Sequence, residues 1–114
     1  MNNNPSEKQE EFLQKLAEAY QTYNPSIVQP YLAEDVHYAS LWVFQELKSK
    51  QEYLDYFSGK LNAMKNSGKQ FDFRIVDGSH YAKALLVGTE CGFVVDFNDD
   101  GKVCMINMTA PEFF

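Results

Sequence analysis

The stretch L-A-E-D-V-H-Y-A-S-L-W-V-F-Q-E-L-K-S-K, residues 32–50, is where the periodicity of the chain changes. Val36, Tyr38, Ser40 and Trp42 alternate with His37, Ala39, Leu41 and Val43. A two-residue period places successive side chains on opposite faces of a strand. Phe44–Lys48 reads as a second short strand returning beside the first. Ser49, with Glu52 three residues on, is the S-x-x-E signature of a helix start. A strand pair that folds back between helices predicts one wall of a pocket, with Ser40 as a polar point amid apolar neighbours.

Upstream, Ser6 and Gln9 form a candidate capping box, and Glu7, Glu10 and Glu11 suit the positive end of a helix. Phe12, Leu13, Leu16, Ala17, Ala19, Tyr20 and Tyr23 then recur at helical spacing. Asn24-Pro25 marks a new cap and first helical position. A second short helix is predicted through Ile27, Val28, Tyr31 and Leu32, loosened around Pro30. Downstream, Tyr53, Leu54, Phe57, Leu61 and Met64 form the apolar stripe of a long helix that stops at Asn66-Ser67-Gly68. Gly59 in its middle costs about 1 kcal/mol against alanine, which predicts a close packing contact there.

The last third is strand signal throughout. Phe71, Phe73 and Ile75 alternate with Asp72, Arg74 and Val76, and Asp77–His80 turns the chain. Tyr81–Val87 and Cys91–Asn98 are richer in apolar residues, as central strands are. Asn98-Asp99-Asp100-Gly101 is a hairpin turn into Lys102–Thr109. Pro111 stops the sheet, and Phe113-Phe114 is an apolar tail that needs a surface to pack on. Strands gathered after helices predict an α+β domain, an antiparallel sheet with its helices on one face.

The bulk numbers exclude several function classes. The 114 residues suffice for one domain (1–114) with its own core, residues 1–5 forming a flexible arm. Hydrophobic content of 45% and aromatic content of 15% are values of a folded chain rather than a disordered one. The net charge of −6, with no cluster of Lys and Arg, argues against nucleic acid and anionic membrane as partners. No apolar run approaches the roughly 20 residues of a membrane span, and the start M-N-N-N-P-S-E lacks the pattern of a signal peptide. A cytoplasmic location is the resulting expectation. Cys91 and Cys104 fall on predicted hairpin partners but about 12 Å out of register along the ladder. That exceeds disulfide reach, so both are expected to be reduced.

The element order, with A-E-D-V-H-Y in its first strand and F-N-D-D-G-K-V before its last, resembles the nuclear transport factor 2-like superfamily, including its SnoaL-like members. The resemblance covers nearly the whole chain, and its weight lies in the spacing of these motifs relative to the helices. It implies the order α-α-β-β-α-β-β-β-β and a cone-shaped fold, in which a strongly bent antiparallel sheet wraps around helices. Superfamily members include ketosteroid isomerases, which pair a carboxylate base with a tyrosine and a protonated acid. Laying that pattern on this chain puts the base at Ser40, the acid at Phe93 and the tyrosine at Leu16, so all three functional groups are absent. Tyr20, one turn from Leu16, could present a hydroxyl to the same space.

The resemblance also implies which residues face inward. Tyr38, Ser40, Phe93, Val95, Cys104, Ile106 and Met108 would line the cone, with Tyr20, Trp42 and Phe57 completing the ligand pocket. His37, Val94, Asp96 and Asn107 would face out. An apolar lining with a few phenols and a hydroxyl suits a small hydrophobic ligand, and suits equally a core that has filled its own cavity. No inward Asp, Glu or His supports catalysis, so the reading leans away from an enzyme, with no catalytic residue assigned. A SnoaL-like lyase, cyclase or isomerase and a protein-binding module are the alternatives. His37 and His80 lack the spacing of a metal site, and no cofactor is implied. The outward face mixes Ala39, Val43, Val94 and Met105 with His37, Asp96 and Asn107, which suits a homodimer.

Overall fold

The computed structural model describes residues 5–40 and 43–114. Helix α1 (Pro5–Thr22) leads through two 3-10 turns, Pro25–Ile27 and Gln29–Tyr31, into strands β1 (Leu32–Ser40) and β2 (Val43–Leu47). Helix α2 (Lys50–Ser67) follows, then strands β3 (Phe73–Asp77), β4 (Lys83–Val87), β5 (Cys91–Phe97) and β6 (Val103–Thr109), and a final 3-10 turn, Pro111–Phe113. The flexible arm expected at residues 1–5 lies outside the described residues up to residue 4, and Pro5 already opens α1.

The six strands form one sheet in the order β2-β1-β6-β5-β4-β3. This corrects the antiparallel expectation, because β1 runs parallel to β6, with Tyr38 opposite Ile106 and Ser40 opposite Met108. The strongly bent, cone-like wrapping is also overturned: the α+β fold holds, but the sheet is mixed, open at β2 and β3, and not strongly curled. The physical reason is the helix layer. Helix α2 packs on β1 while α1 packs on β3, β4 and β5, so the two helices lie side by side on the apolar face and the sheet need not close around them. Hairpin signals report only pairing between sequential strands, and the β1–β6 pair leaves none in the sequence.

Local chemistry explains most boundaries. Ser49 caps α2 by accepting the Glu52 amide at 3.1 Å, and Glu52 Oε1 accepts the Lys48 amide at 3.0 Å. Gly68, at φ 70°, closes the same helix in the left-handed region, donating to the Lys65 carbonyl. In the β5–β6 hairpin, Asn98 Oδ1 accepts the amides of Asp100 and Lys102, both at 3.0 Å. The predicted second helix fails at Pro30, which leaves only 3-10 turns and lets Leu32 open β1. Gln9 is not a capping residue either. It is buried, and its Oε1 accepts the Lys83 amide at 2.9 Å, tying α1 to the start of β4.

Two apolar clusters lie on opposite faces of the sheet. The main core joins Phe12, Leu13 and Leu16 of α1 to Tyr53, Phe57 and Leu61 of α2 and to Tyr38, Phe93, Val95 and Ile106 of the sheet. The smaller one sits on the outer face, where Phe114 packs with Ala84 and Val94. The Phe114 main-chain oxygen accepts the amides of His80 at 2.8 Å and Tyr81 at 2.6 Å. The apolar tail thus finds its surface on the back of the sheet.

Candidate ligand-binding site

Beside the main core, a partly open cavity of about 310 Å³ separates the helix layer from the sheet. Tyr20 of α1 and Lys60 and Met64 of α2 form its helical side. Phe71, on the connection after α2, stands at it with 43% of its surface exposed. The sheet side comprises Phe73, Val87, Cys91, Phe93 and Met108, and the β4–β5 turn contributes Gly88, Thr89 and Glu90. The lining is mostly apolar, with Lys60, Glu90, Thr89 and the Tyr20 phenol as its polar points.

Helix periodicity delivers Lys60 to this place. It stands three residues after Phe57 and four before Met64, in the register of the apolar stripe of α2. Its ammonium lies 5.5 Å from the Tyr20 ring centroid and 5.9 Å from those of Tyr56 and Phe93. Among the described residues it makes no ion pair within 4.0 Å. Burial holds its pKa below the ordinary lysine value, with the neighbouring Cys91 thiol acting in the opposite sense. Burial likewise raises the Cys91 thiol, partly offset by Lys60, and Glu90 adds to the rise.

The predicted pocket residues divide between cavity and core. Tyr20, Phe93 and Met108 line the cavity. Tyr38, Phe57, Val95 and Ile106 are buried in the main core. Ser40 is half-buried and directs its hydroxyl at the Met108 sulfur, 3.7 Å away, so Met108 touches both Ser40 and the cavity. Trp42 lies outside the described residues. Cys104, predicted to face inward, does not: a bulge beside Asp96 and Phe97 pairs Phe97 with Val103 and Asp96 with Met105. The extra residue shifts the alternation, so Val103 takes the core position and Cys104 stands half-buried near Asp96 and Asp35.

At the isomerase-like positions, Leu16 and Phe93 are buried apolar residues and Ser40 supplies a hydroxyl. The Tyr38 phenol beside Ser40 is fully buried, its ring 5.3 Å from those of Tyr53 and Tyr56. Burial drives its pKa far upward, with the Tyr56 side chain adding to the rise and Ser40 opposing it, and its hydroxyl meets no hydrogen-bond partner of ordinary geometry among the described residues. Burial raises Tyr20 and Tyr53 in the same sense. His37 is exposed and pairs with Glu46 at 3.0 Å across the β1–β2 edge.

Met64, Phe71, Phe73, Val87 and the β4–β5 turn carry no sequence signal of a site. Lys60 does carry a signal, being a cation placed within an apolar stripe. The others meet at the cavity only through the tertiary packing of the helices on the sheet.

Similarity in sequence supplies no family, since no family model and no curated protein matches the chain. Similarity in shape is extensive. A SnoaL-like protein of unknown function from Burkholderia thailandensis superposes with a TM-score of 0.72 at 15% identity, covering 90% of this chain and 94% of its own. The chain has the nuclear transport factor 2-like fold. A nuclear transport factor 2-like protein of unknown function from Mesorhizobium loti matches with a TM-score of 0.64 at 13% identity, over 96% of both chains. An LEH-like epoxide hydrolase from M. tuberculosis gives 0.55 at 15% identity, over 86% of this chain and 78% of its own. Within this fold, the cavity lies between α2 and the β4–β5–β6 side of the sheet. No helix among the described residues is long and apolar enough to cross a membrane.

Proposed function

We propose that this nuclear transport factor 2-like domain binds a small hydrophobic ligand in the cavity between α2 and the sheet. The observation that carries the reading is a mostly apolar, partly open cavity of about 310 Å³ beside the main core. Its volume falls at the lower end of small-molecule sites, which run from about 300 to 1,000 Å³. Its lining is more apolar than those of the shallower depressions on the same surface, as a site for a hydrophobic ligand requires. The experiment is a fluorescence titration with the neutral probe N-phenyl-1-naphthylamine, on the wild type and on Val87→Trp. Val87 lines the cavity and is half-buried, so a bulkier side chain there fills the cavity from the sheet side. The wild type should enhance the probe's emission saturably and the folded variant should not. Equal response from both proteins would refute the reading.

The same proposal includes a homodimer through the outer sheet face. It is supported by Phe113, 56% exposed beside a shallow depression lined by His80, Tyr81, Val94, Asn107 and Thr109. An exposed aromatic on a partly apolar sheet face is the surface that association would cover. Light scattering at micromolar concentration should give twice the 13.1 kDa chain mass. A mass of one chain would remove this part.

A further inference from the structure

We propose that the ligand of this cavity is an apolar molecule carrying one anionic head group, which Lys60 recognises. The inference rests on the binding reading above and names the chemical class of its ligand. Lys60 is half-buried, lines the cavity and projects its ammonium over three aromatic rings, at 5.5 Å from Tyr20 and 5.9 Å from Tyr56 and Phe93. Cation–π contact offsets part of the cost of taking this charge out of water. It leaves the ammonium, among the described residues, without the carboxylate oxygens that a cation drawn out of water ordinarily has. Two other half-buried lysines have theirs: Lys83 reaches Asp77 at 2.6 Å and Lys50 reaches Glu34 at 3.7 Å. Among the described residues, Lys60 has no carboxylate within 4.0 Å.

An incoming carboxylate or sulfonate would supply those oxygens at the one cationic point of a mostly apolar lining. The ligand's hydrocarbon body would then extend past Met64, Phe73 and Met108. Glu90, Cys91 and the Tyr20 phenol are the other titratable groups lining the cavity. Glu90 is exposed, so its charge is screened by water and opposes an anion weakly. A cationic head group is disfavoured by Lys60 itself.

The test compares two probes of one chain length, decanoate and decan-1-ol, by isothermal titration calorimetry on the wild type, Lys60→Met and Lys60→Gln. Both variants keep most of the length of the side chain and remove its charge, so a folding failure of one leaves the other. The wild type is expected to bind decanoate roughly tenfold or more tightly than decan-1-ol, as a charge-assisted hydrogen bond allows. Either folded variant should bind both probes alike. Equal binding of the two probes by the wild type overturns the head-group inference while leaving the cavity reading standing. So does a decanoate preference that survives in the variants. Binding of neither probe overturns the cavity reading, and the inference with it.

Discussion

The most informative single residue is Tyr38, because its burial and its chemistry disagree. Its ring is packed between Tyr53 and Tyr56, yet its hydroxyl has no hydrogen-bond partner among the described residues. A buried hydroxyl left unpaired costs about 1–3 kcal/mol. Tyr38→Phe removes that group and keeps the ring, so urea denaturation should show a stability equal to or up to about 2 kcal/mol above the wild type. A loss of more than 1 kcal/mol would mean that the hydroxyl is bonded in solution. Alternation in residues 36–43 grouped Tyr38 with Val36 and Ser40 on one face, and the family resemblance implied that this face points inward. The lack of a partner was not legible, because it depends on where Ser40 and Tyr56 end up. Lys60 was overlooked for a related reason. Its surroundings come from Tyr20 on α1 and Phe93 on β5, which no local pattern joins to it.

At the scale of elements, the caps and turns were readable because each is closed by neighbours in sequence. Ser49 with Glu52, Gly68, and Asn98 through Gly101 all act where the sequence placed them. The misreadings involve partners distant in sequence. The β5–β6 bulge moved Val103 into the core in place of Cys104, and a parallel neighbour for β1 could not be seen at all. Glycines show the same division. Gly59 was expected to make a close contact, but a Cβ built there meets nothing within 4 Å. Gly92 was not singled out, although a Cβ there would lie 2.6 Å from Phe114 Cζ and against the Leu85 carbonyl. The two alanine substitutions should therefore act in opposite senses. Gly59→Ala should raise stability by about 0.5–1 kcal/mol through helix propensity. Gly92→Ala should lower it by about 1–3 kcal/mol by overpacking the outer face. Thermal melts of both variants check the pair, and a common sign would contradict the packing described for α2 and Phe114.

For the whole molecule, a likeness in shape at 13–15% identity establishes the fold and leaves the ligand to be argued from this chain's own residues. The nuclear transport factor 2-like fold was legible from the order of elements and the spacing of two short motifs. Curvature was not, because it depends on packing between elements distant in sequence, which no local pattern reports. With a mixed, less curled sheet, the open space lies toward β4, β5 and Phe73 rather than along β1. That is why Tyr38, Val95 and Ile106 belong to the core while Lys60, Met64 and Phe73 line the cavity. Three flexible or exposed side chains border this space: Met64, Met108 and Phe71. They are also the groups that could collapse into it. The most direct measurement is a high-resolution crystal structure grown in the presence of decan-1-ol. The account predicts continuous density for the alcohol among Lys60, Met64, Phe73 and Met108. A cavity closed by Met64, Met108 and Phe71, with no room for a ligand, would contradict it.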